Sequence, residues 1–175
     1  MKSIALLLLL LPLSAAAQSE LPERVPAGPC ETPAHRQFDF WVGDWKVTAG
    51  ERLAGTNSIR RVHGGCALEE NWQGAGAGGI SGSSFNIFDQ ASGTWHQTWV
   101  DSAGTLLQLD GGMVDGSMVL SGSRPAPSGG TALHRISWTP NEDGTVRQLW
   151  ETSLDEGSSW SVLFDGLYVK ADAQP

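Results

Sequence analysis

Positive charge is scarce in this chain. The sequence has 11 lysine and arginine residues against 19 aspartate and glutamate residues, and its formal net charge is −8. The basic residues are scattered along the chain and form no cluster. An acidic chain of this kind is repelled by phosphate backbones and by anionic membrane surfaces. The composition therefore argues against nucleic-acid binding and against electrostatic docking on a membrane.

Long apolar runs are absent except near the first residue. There Lys2 precedes an apolar stretch at residues 4–13, and three alanines end at Ala17. A short apolar core between a positive residue and small residues is typical of a secretory signal peptide. We predict a signal peptide at residues 1–17, cleaved after Ala17, and export to the periplasm or out of the cell. No later apolar run is long enough to span a bilayer, so we expect no integral membrane segment after cleavage.

Cysteine is limited to Cys30 and Cys66, and the sequence has no C-x-x-C motif. In an exported chain, two such cysteines pair by default. We predict a disulfide that ties the N-terminal segment to the first strands. The alternative is a reactive thiol pair, which the lack of a C-x-x-C motif disfavours.

Helical periodicity is confined to one short segment. Phe38, Trp41 and Val42 share a helical face, which predicts a helical turn or short helix within residues 35–44. Beyond it, short β-prone segments alternate with glycine, aspartate, asparagine and proline, as in an all-β sandwich or barrel. We predict ten strands, at residues 45–49, 56–62, 67–73, 81–88, 94–101, 105–111, 117–123, 131–139, 145–153 and 160–170.

The connections between these segments favour a closed barrel. Asp115-Gly116 and residues 141–144 and 155–157 have hairpin-turn sequences, and no long helix is available for a parallel crossover. Consecutive antiparallel strands leave two exposed edges unless the sheet closes on itself. We therefore predict an all-β, antiparallel up-and-down barrel of about ten strands within residues 35–170. An extended segment at residues 18–34 would precede it, and a tail at residues 171–175 would follow.

Tryptophan is abundant, with eight residues, and its spacing marks a candidate ligand pocket. Residues two apart in a strand share a face. By this rule three strands each combine a tryptophan with a polar residue: Glu70 with Trp72, Gln97 with Trp99, and Gln148 with Trp150. If this face points into the barrel, its rings and sparse polar groups would form a small-molecule pocket. Two alternatives stay open, namely that the glutamines and the glutamate pair with each other or that the face is exposed to solvent.

Signals for catalysis and metal binding are lacking. None of the histidines has a second ligand two or four residues away of the kind that makes a metal site recognisable; they are His35, His63, His96 and His134. The sequence has no G-x-S-x-G nucleophile motif. We predict no catalytic residue, no metal site and no cofactor. An enzyme hypothesis stays open in one form: Glu70 as the acid–base group of a hydrolase or isomerase, which requires that Glu70 is buried with a raised pKa.

A set of motifs runs through nearly the whole mature chain. FDFWVGDW occupies residues 38–45, and it is followed by GTN at 55–57, GCALEENW at 65–72, SFNIFD at 84–89, WHQTWVD at 95–101 and RQLWETSLDEGSSW at 147–160. As a set these motifs resemble an uncharacterised family of exported bacterial proteins, a domain of unknown function. The resemblance implies an exported protein and carries no established activity.

Gly43 and Trp45 form a G-x-W motif at the start of the first strand. This motif is similar to that of lipocalins and related calycin β-barrels. The resemblance implies that Trp45 closes one end of the barrel and that an arginine from a late strand, Arg135 or Arg147, packs over it.

Three functions are compatible with the sequence. The leading hypothesis is an exported barrel that binds a small amphipathic or polar-aromatic molecule. The second is a structural or protein-interaction protein of the cell envelope, which would expose a tryptophan patch. The third is the enzyme that uses Glu70. The sequence carries no signal for the identity of the ligand or for an oligomeric state.

Overall fold

The protein is a closed antiparallel β-barrel of ten strands. The structure is a computed structural model that describes residues 28–127 and 129–172. The strands follow one another around the barrel in chain order, and β10 pairs with β1 to close it. They are β1 Gly43–Ala49, β2 Arg52–Val62, β3 Ala67–Gly74, β4 Ser81–Asp89, β5 Thr94–Asp101, β6 Leu106–Val114, β7 Ser117–Pro125, β8 Thr131–Pro140, β9 Val146–Ser153 and β10 Ser161–Lys170. The predicted all-β up-and-down barrel is confirmed.

Alternation of inward and outward side chains builds the barrel wall. Along β8 every second residue is buried, in the order Ala132, His134, Ile136 and Trp138. Tight turns join some of the neighbouring strands. The β6–β7 hairpin turns at Asp115 and Gly116, whose φ angles are 47° and 82°. Two successive positive φ values are typical of the type I′ turn that matches the twist of the flanking strands.

The segment before β1 forms two short helical turns. Helix α1 spans Pro33–Arg36, and a 3₁₀ turn spans Asp39–Trp41. The predicted N-terminal helical turn is therefore confirmed, but it is shorter than residues 35–44. It ends early because β1 already begins at Gly43, which pairs with Ile59 of β2.

Aromatic side chains from these turns close one end of the barrel. Phe38 and Trp41 are fully buried, and their ring centroids lie 4.9 Å apart. Both rings also contact Trp138, at 5.2 and 5.3 Å, and Phe38 meets Trp95 edge-on at 5.6 Å. We call Phe38, Trp41, Trp95 and Trp138 the aromatic plug. Hairpins alternate between the two ends of an up-and-down barrel, so the loops after β1, β3, β5, β7 and β9 surround the opposite end.

Trp45 lies beside the aromatic plug and is fully buried. Its indole N–H donates to the backbone oxygen of Trp41 at 2.8 Å. The cation over its ring is Lys170, whose Nζ lies 3.7 Å from the ring centroid. The expectation of Arg135 or Arg147 at this place is therefore wrong. Arg135 packs over Trp160 and Arg147 pairs with Asp165, because both arginines point outward from their strands.

A disulfide between Cys30 and Cys66 fastens the helical segment to the wall, with the two Cα atoms 4.9 Å apart. It joins the residues just before α1 to the short connection between β2 and β3. Arg36 reinforces this junction, since its guanidinium donates to the backbone oxygens of Cys30 and Gly65. The predicted pairing of the two cysteines is confirmed.

Several expectations lie outside the described residues. These are the signal peptide at residues 1–17, most of the extended segment at residues 18–34, and the end of the C-terminal tail. The domain boundaries of the sequence analysis stay predictions. Within residues 28–127 and 129–172, no helix has the length and apolar character needed to span a bilayer.

Removing the disulfide tests its share in the stability of the barrel. The bridge joins residues 36 positions apart, and closing a loop of that length stabilises by roughly 3–4 kcal/mol in the chain-entropy model. We expect the double variant Cys30→Ala/Cys66→Ala to lose about that much free energy of unfolding in urea titrations. Wild type in reducing buffer should match the variant. A loss below about 1 kcal/mol would mean that the junction holds without the bridge.

Candidate functional site

A cavity of about 250 Å³ occupies the barrel interior at the end opposite the aromatic plug. All six residues predicted from the tryptophan spacing line it: Glu70, Trp72, Gln97, Trp99, Gln148 and Trp150. The same cavity is lined by residues that the prediction did not contain, namely Ile80, Asp101, Leu107, Ile136, Leu163, Phe164 and Tyr168. The structure therefore brings the predicted residues together, and a role in binding stays a prediction for each of them.

Glycines on neighbouring strands make room for the rings of the cavity wall. A Cβ atom on Gly82 would lie 2.3 Å from the Trp99 ring, and one on Gly55 would lie 2.7 Å from the Trp72 ring. On β10 itself, a Cβ atom on Gly166 would lie 2.4 Å from the ring of Phe164, two residues away. The rings therefore lie against the backbone of the wall, and this position leaves the centre of the barrel open.

The floor of the cavity is a belt of hydrogen-bonded polar side chains. Glu70 on β3 accepts a hydrogen bond from Asn57 on β2 at 2.7 Å and another from Ser84 on β4 at 2.6 Å. On one side the belt continues through Asn86, whose Oδ1 accepts from Gln97 at 2.9 Å.

On the other side the belt runs from Asn57 to β10 and β9. The Asn57 amide donates to the Tyr168 hydroxyl at 3.2 Å, and that hydroxyl donates to Gln148. The polar belt therefore consists of seven residues: Gln148, Tyr168, Asn57, Glu70, Ser84, Asn86 and Gln97. The glutamines and the glutamate are linked through intermediaries and not directly to each other, and burial of Glu70 and Gln97 excludes the solvent-exposed alternative.

Glu70 is the acidic centre of the polar belt and is only 4% exposed. Burial raises its pKa from the ordinary value of 4.5 to about 7, although the hydrogen bonds from Ser84 and Asn57 act to lower it. Near neutral pH this carboxyl group therefore exists in both forms.

The amides at the ends of the polar belt each keep one functional group that the belt does not use. Gln97 Nε2 donates to Asn86 and Ser84, and Gln148 Oε1 accepts from Tyr168. No described residue donates to Gln97 Oε1 or accepts from Gln148 Nε2. Because both glutamines line the cavity, one carbonyl acceptor and one amide donor are left for a ligand.

Polar contacts also hold the indoles of the cavity wall. The Trp99 N–H donates to Asp101 at 3.2 Å, and the Trp150 N–H donates to Nδ1 of His134 at 3.1 Å. Partial burial acts to raise the pKa of Asp101, but hydrogen bonds from Thr105, Trp99 and Ala103 hold it below its ordinary value. Asp101 therefore keeps a negative charge at the mouth of the cavity.

The sequence reasoning missed four members of the polar belt: Asn57, Ser84, Asn86 and Tyr168. A signal existed for three of them. Asn57 ends the GTN motif, and Ser84 and Asn86 share one strand face within SFNIFD. Each looked like an ordinary polar surface residue because its strand neighbours are not tryptophans.

Two further strand carboxylates face away from the interior. Asp110 and Asp165 lie outside the barrel, paired with His96 and Arg147 respectively. The part of the chain that the structure describes contains no group of three or more histidine, cysteine, aspartate or glutamate residues that could hold a metal ion.

Comparisons with known proteins add no family to this description. No protein-family model matches the chain, and no curated protein matches it.

The burial of Glu70 predicts a pH-dependent stability. At Glu70 the folded state binds more protons than the unfolded state between pH 4.5 and about 7, so this group makes the free energy of unfolding fall as pH rises through this window. The full loss is about 3 kcal/mol for a shift of this size. We expect Glu70→Gln to abolish this loss in urea titrations followed by tryptophan fluorescence. Glu69→Gln, on the opposite face of β3, should keep the wild-type profile, and parallel profiles for Glu70→Gln and wild type would contradict the assignment.

The close approach of the Trp99 ring to Gly82 predicts an effect on stability. Gly82→Ala forces the Trp99 ring toward the centre of the barrel, and overpacking of this kind costs about 1–3 kcal/mol of stability. The matched control is Gly112→Ala, because a Cβ at Gly112 meets nothing within 4 Å. Urea titrations should show a loss for Gly82→Ala and little change for Gly112→Ala. Equal stabilities of the two variants would refute the packing argument.

Proposed function

We propose that the protein is an exported barrel that binds a small amphipathic or polar-aromatic molecule in the cavity above the polar belt. A closed ten-stranded barrel is compatible with a binding barrel. The observation that carries the proposal is the division of the cavity into aromatic walls and a fixed polar floor with unused amide groups. Small-molecule sites are built in this way, from mostly apolar surface and a few placed polar groups.

Export is part of the same proposal. A Cys30–Cys66 disulfide fits an oxidising compartment such as the periplasm or the cell exterior. The leader-like residues 1–17 support the same location. We also propose membership in the exported bacterial family with the FDFWxGxW opening, in which Phe38, Trp41 and Trp45 would close the barrel as they do here.

One observation favours the enzyme as a second candidate. Glu70 is buried and its pKa is about 7, which is the range that suits a general acid–base group. Both carboxylate oxygens are, however, engaged by Asn57 and Ser84, and no carboxylate within residues 28–127 and 129–172 is hydrogen-bonded to Glu70. The interaction protein finds less support, because none of the eight tryptophans is among the exposed large side chains.

Native mass spectrometry of the mature protein, released from an oxidising periplasm without denaturant, tests the binding function. We expect a discrete added mass that disappears on unfolding. Trp99→Ala and Gln97→Ala should carry much less of it, since loss of a central anchor costs about 2 kcal/mol or more. Val100→Ala is the matched control, because Val100 lies on the outer face of β5 and is 51% exposed. Equal occupancy in Trp99→Ala and wild type would refute the assignment of the cavity.

A further inference from the structure

The ionisable groups that line the cavity are all acids. They are Glu70 in the floor, Asp101 at the mouth and the phenol of Tyr168. Among the described lining residues there is no lysine, arginine or histidine. A carboxylate ligand would therefore enter a cavity that offers two carboxyl groups and no cation. Such a ligand would lose its hydration without gaining an opposite charge, which is costly.

The walls of the cavity suit the opposite charge. Trp72, Trp99 and Trp150 contribute three indole rings, and the negative faces of aromatic rings attract cations, with tryptophan the strongest. Hydrogen bonds to Asp101 and His134 hold two of these indoles in place. The overall negative charge of the chain adds long-range attraction for a cation.

The floor of the cavity has hydrogen-bond acceptors that the described residues do not fully use. An ionised carboxylate can accept about four hydrogen bonds, and Asn57 and Ser84 use two of them on Glu70. The carbonyl oxygen of Gln97 adds one more acceptor at the same level. An ammonium group is a donor only, so its chemistry complements this floor.

We infer that the cavity selects an organic cation, a protonated amine carried on a flat apolar body, over neutral and anionic ligands with the same body. The amine lies at the floor against Glu70 and Gln97, and the body lies among Trp72, Trp99 and Trp150. This inference rests on the proposed binding function and adds the chemistry of the head group. The cavity volume of about 250 Å³ suits a body of one or two rings.

Binding of a cation is linked to the ionisation of Glu70. The side chains hydrogen-bonded to Glu70 are Asn57 from β2 and Ser84 from β4, and these two are bonded in turn to Tyr168 from β10 and Asn86 from β4. Of these only Tyr168 titrates, and burial together with the charge of Glu70 raises its pKa well above its ordinary value. Two further groups lie nearby. Asp101 stays ionised, and burial and the charge of Arg124 lower the pKa of His134.

Three probes with one naphthalene ring and different head groups test the inference by calorimetry: 2-naphthylmethylamine, 2-naphthylmethanol and 2-naphthoate. We expect the amine to bind at least about tenfold more tightly than the alcohol, and the carboxylate to bind most weakly. An alcohol or carboxylate that binds as tightly as the amine overturns the inference and leaves the binding function intact. If none of the three binds, the proposed function fails together with the inference.

Variants and pH separate the role of Glu70 from a general preference for cations. Glu70→Gln should lose most of the amine affinity and keep that for the alcohol, whereas Glu69→Gln should bind both probes like wild type. Because the pKa of Glu70 is about 7, amine binding to wild type should tighten about tenfold between pH 6 and pH 8. If Glu70→Gln does not fold, this wild-type profile decides alone. A flat profile, or an unchanged amine preference in Glu70→Gln, overturns the role of Glu70.

Discussion

The hydrogen bonding of one buried carboxyl group fixes the register of three neighbouring strands. Glu70 stands directly across from Ser84 on β4, and Asn57 reaches it diagonally from β2. A shift of either neighbouring strand by one residue would turn its polar partner outward, and a buried acid without partners costs several kcal/mol. The alternating pattern of these strands therefore has one register in which Glu70 keeps both of its hydrogen-bond donors. This register sets the positions of the side chains that β2, β3 and β4 place above and below the polar belt.

The polar belt divides the interior into two unlike parts. Below it the aromatic plug is dense, and its members are buried almost completely. Above it the aromatic residues only line the cavity. An apolar layer at the level of Glu70 would often be as stable as a buried polar one. Gln97 and Gln148, which line the cavity, each have one amide group that takes no part in the belt, and the buried Oδ1 of Asn57 also has no partner among the described residues. Stability alone therefore does not require a polar belt at this level.

Much of this architecture is readable in the sequence, and the limits have physical causes. The spacing of Trp95, Gln97 and Trp99 shows that the three residues share a face, because side chains alternate along a strand. It does not show which face points inward. Strand β9 illustrates the difficulty. Its residues Gln148 and Trp150 alternate with Leu149 and Glu151, so both faces mix polar and apolar groups. Only closure of the barrel decides between them.

Contacts between residues far apart in the chain could not be predicted from the sequence, for a related reason. Lys170 reaches Trp45 because β10 closes on β1, and this pairing joins the last strand to the first. Asn57 and Tyr168 meet across the same seam, 111 positions apart in the chain. Local patterns carry no information on such a contact until the number of strands and the register are known.

The open cavity lowers the stability of the barrel, and part of this loss comes from glycines in the strands. Gly55, Gly82 and Gly166 occupy strand positions next to aromatic rings, and glycine within a strand is less stable than a residue with a side chain by roughly 0.5–1 kcal/mol. Rings that lie against the wall also forgo contacts that they would make across a filled interior. A ligand that fills the space restores those contacts and stabilises the folded state in proportion to the logarithm of its concentration over Kd. The glycines and the indoles are thus two parts of one feature, because the space that destabilises the empty barrel is the space in which a ligand would be bound.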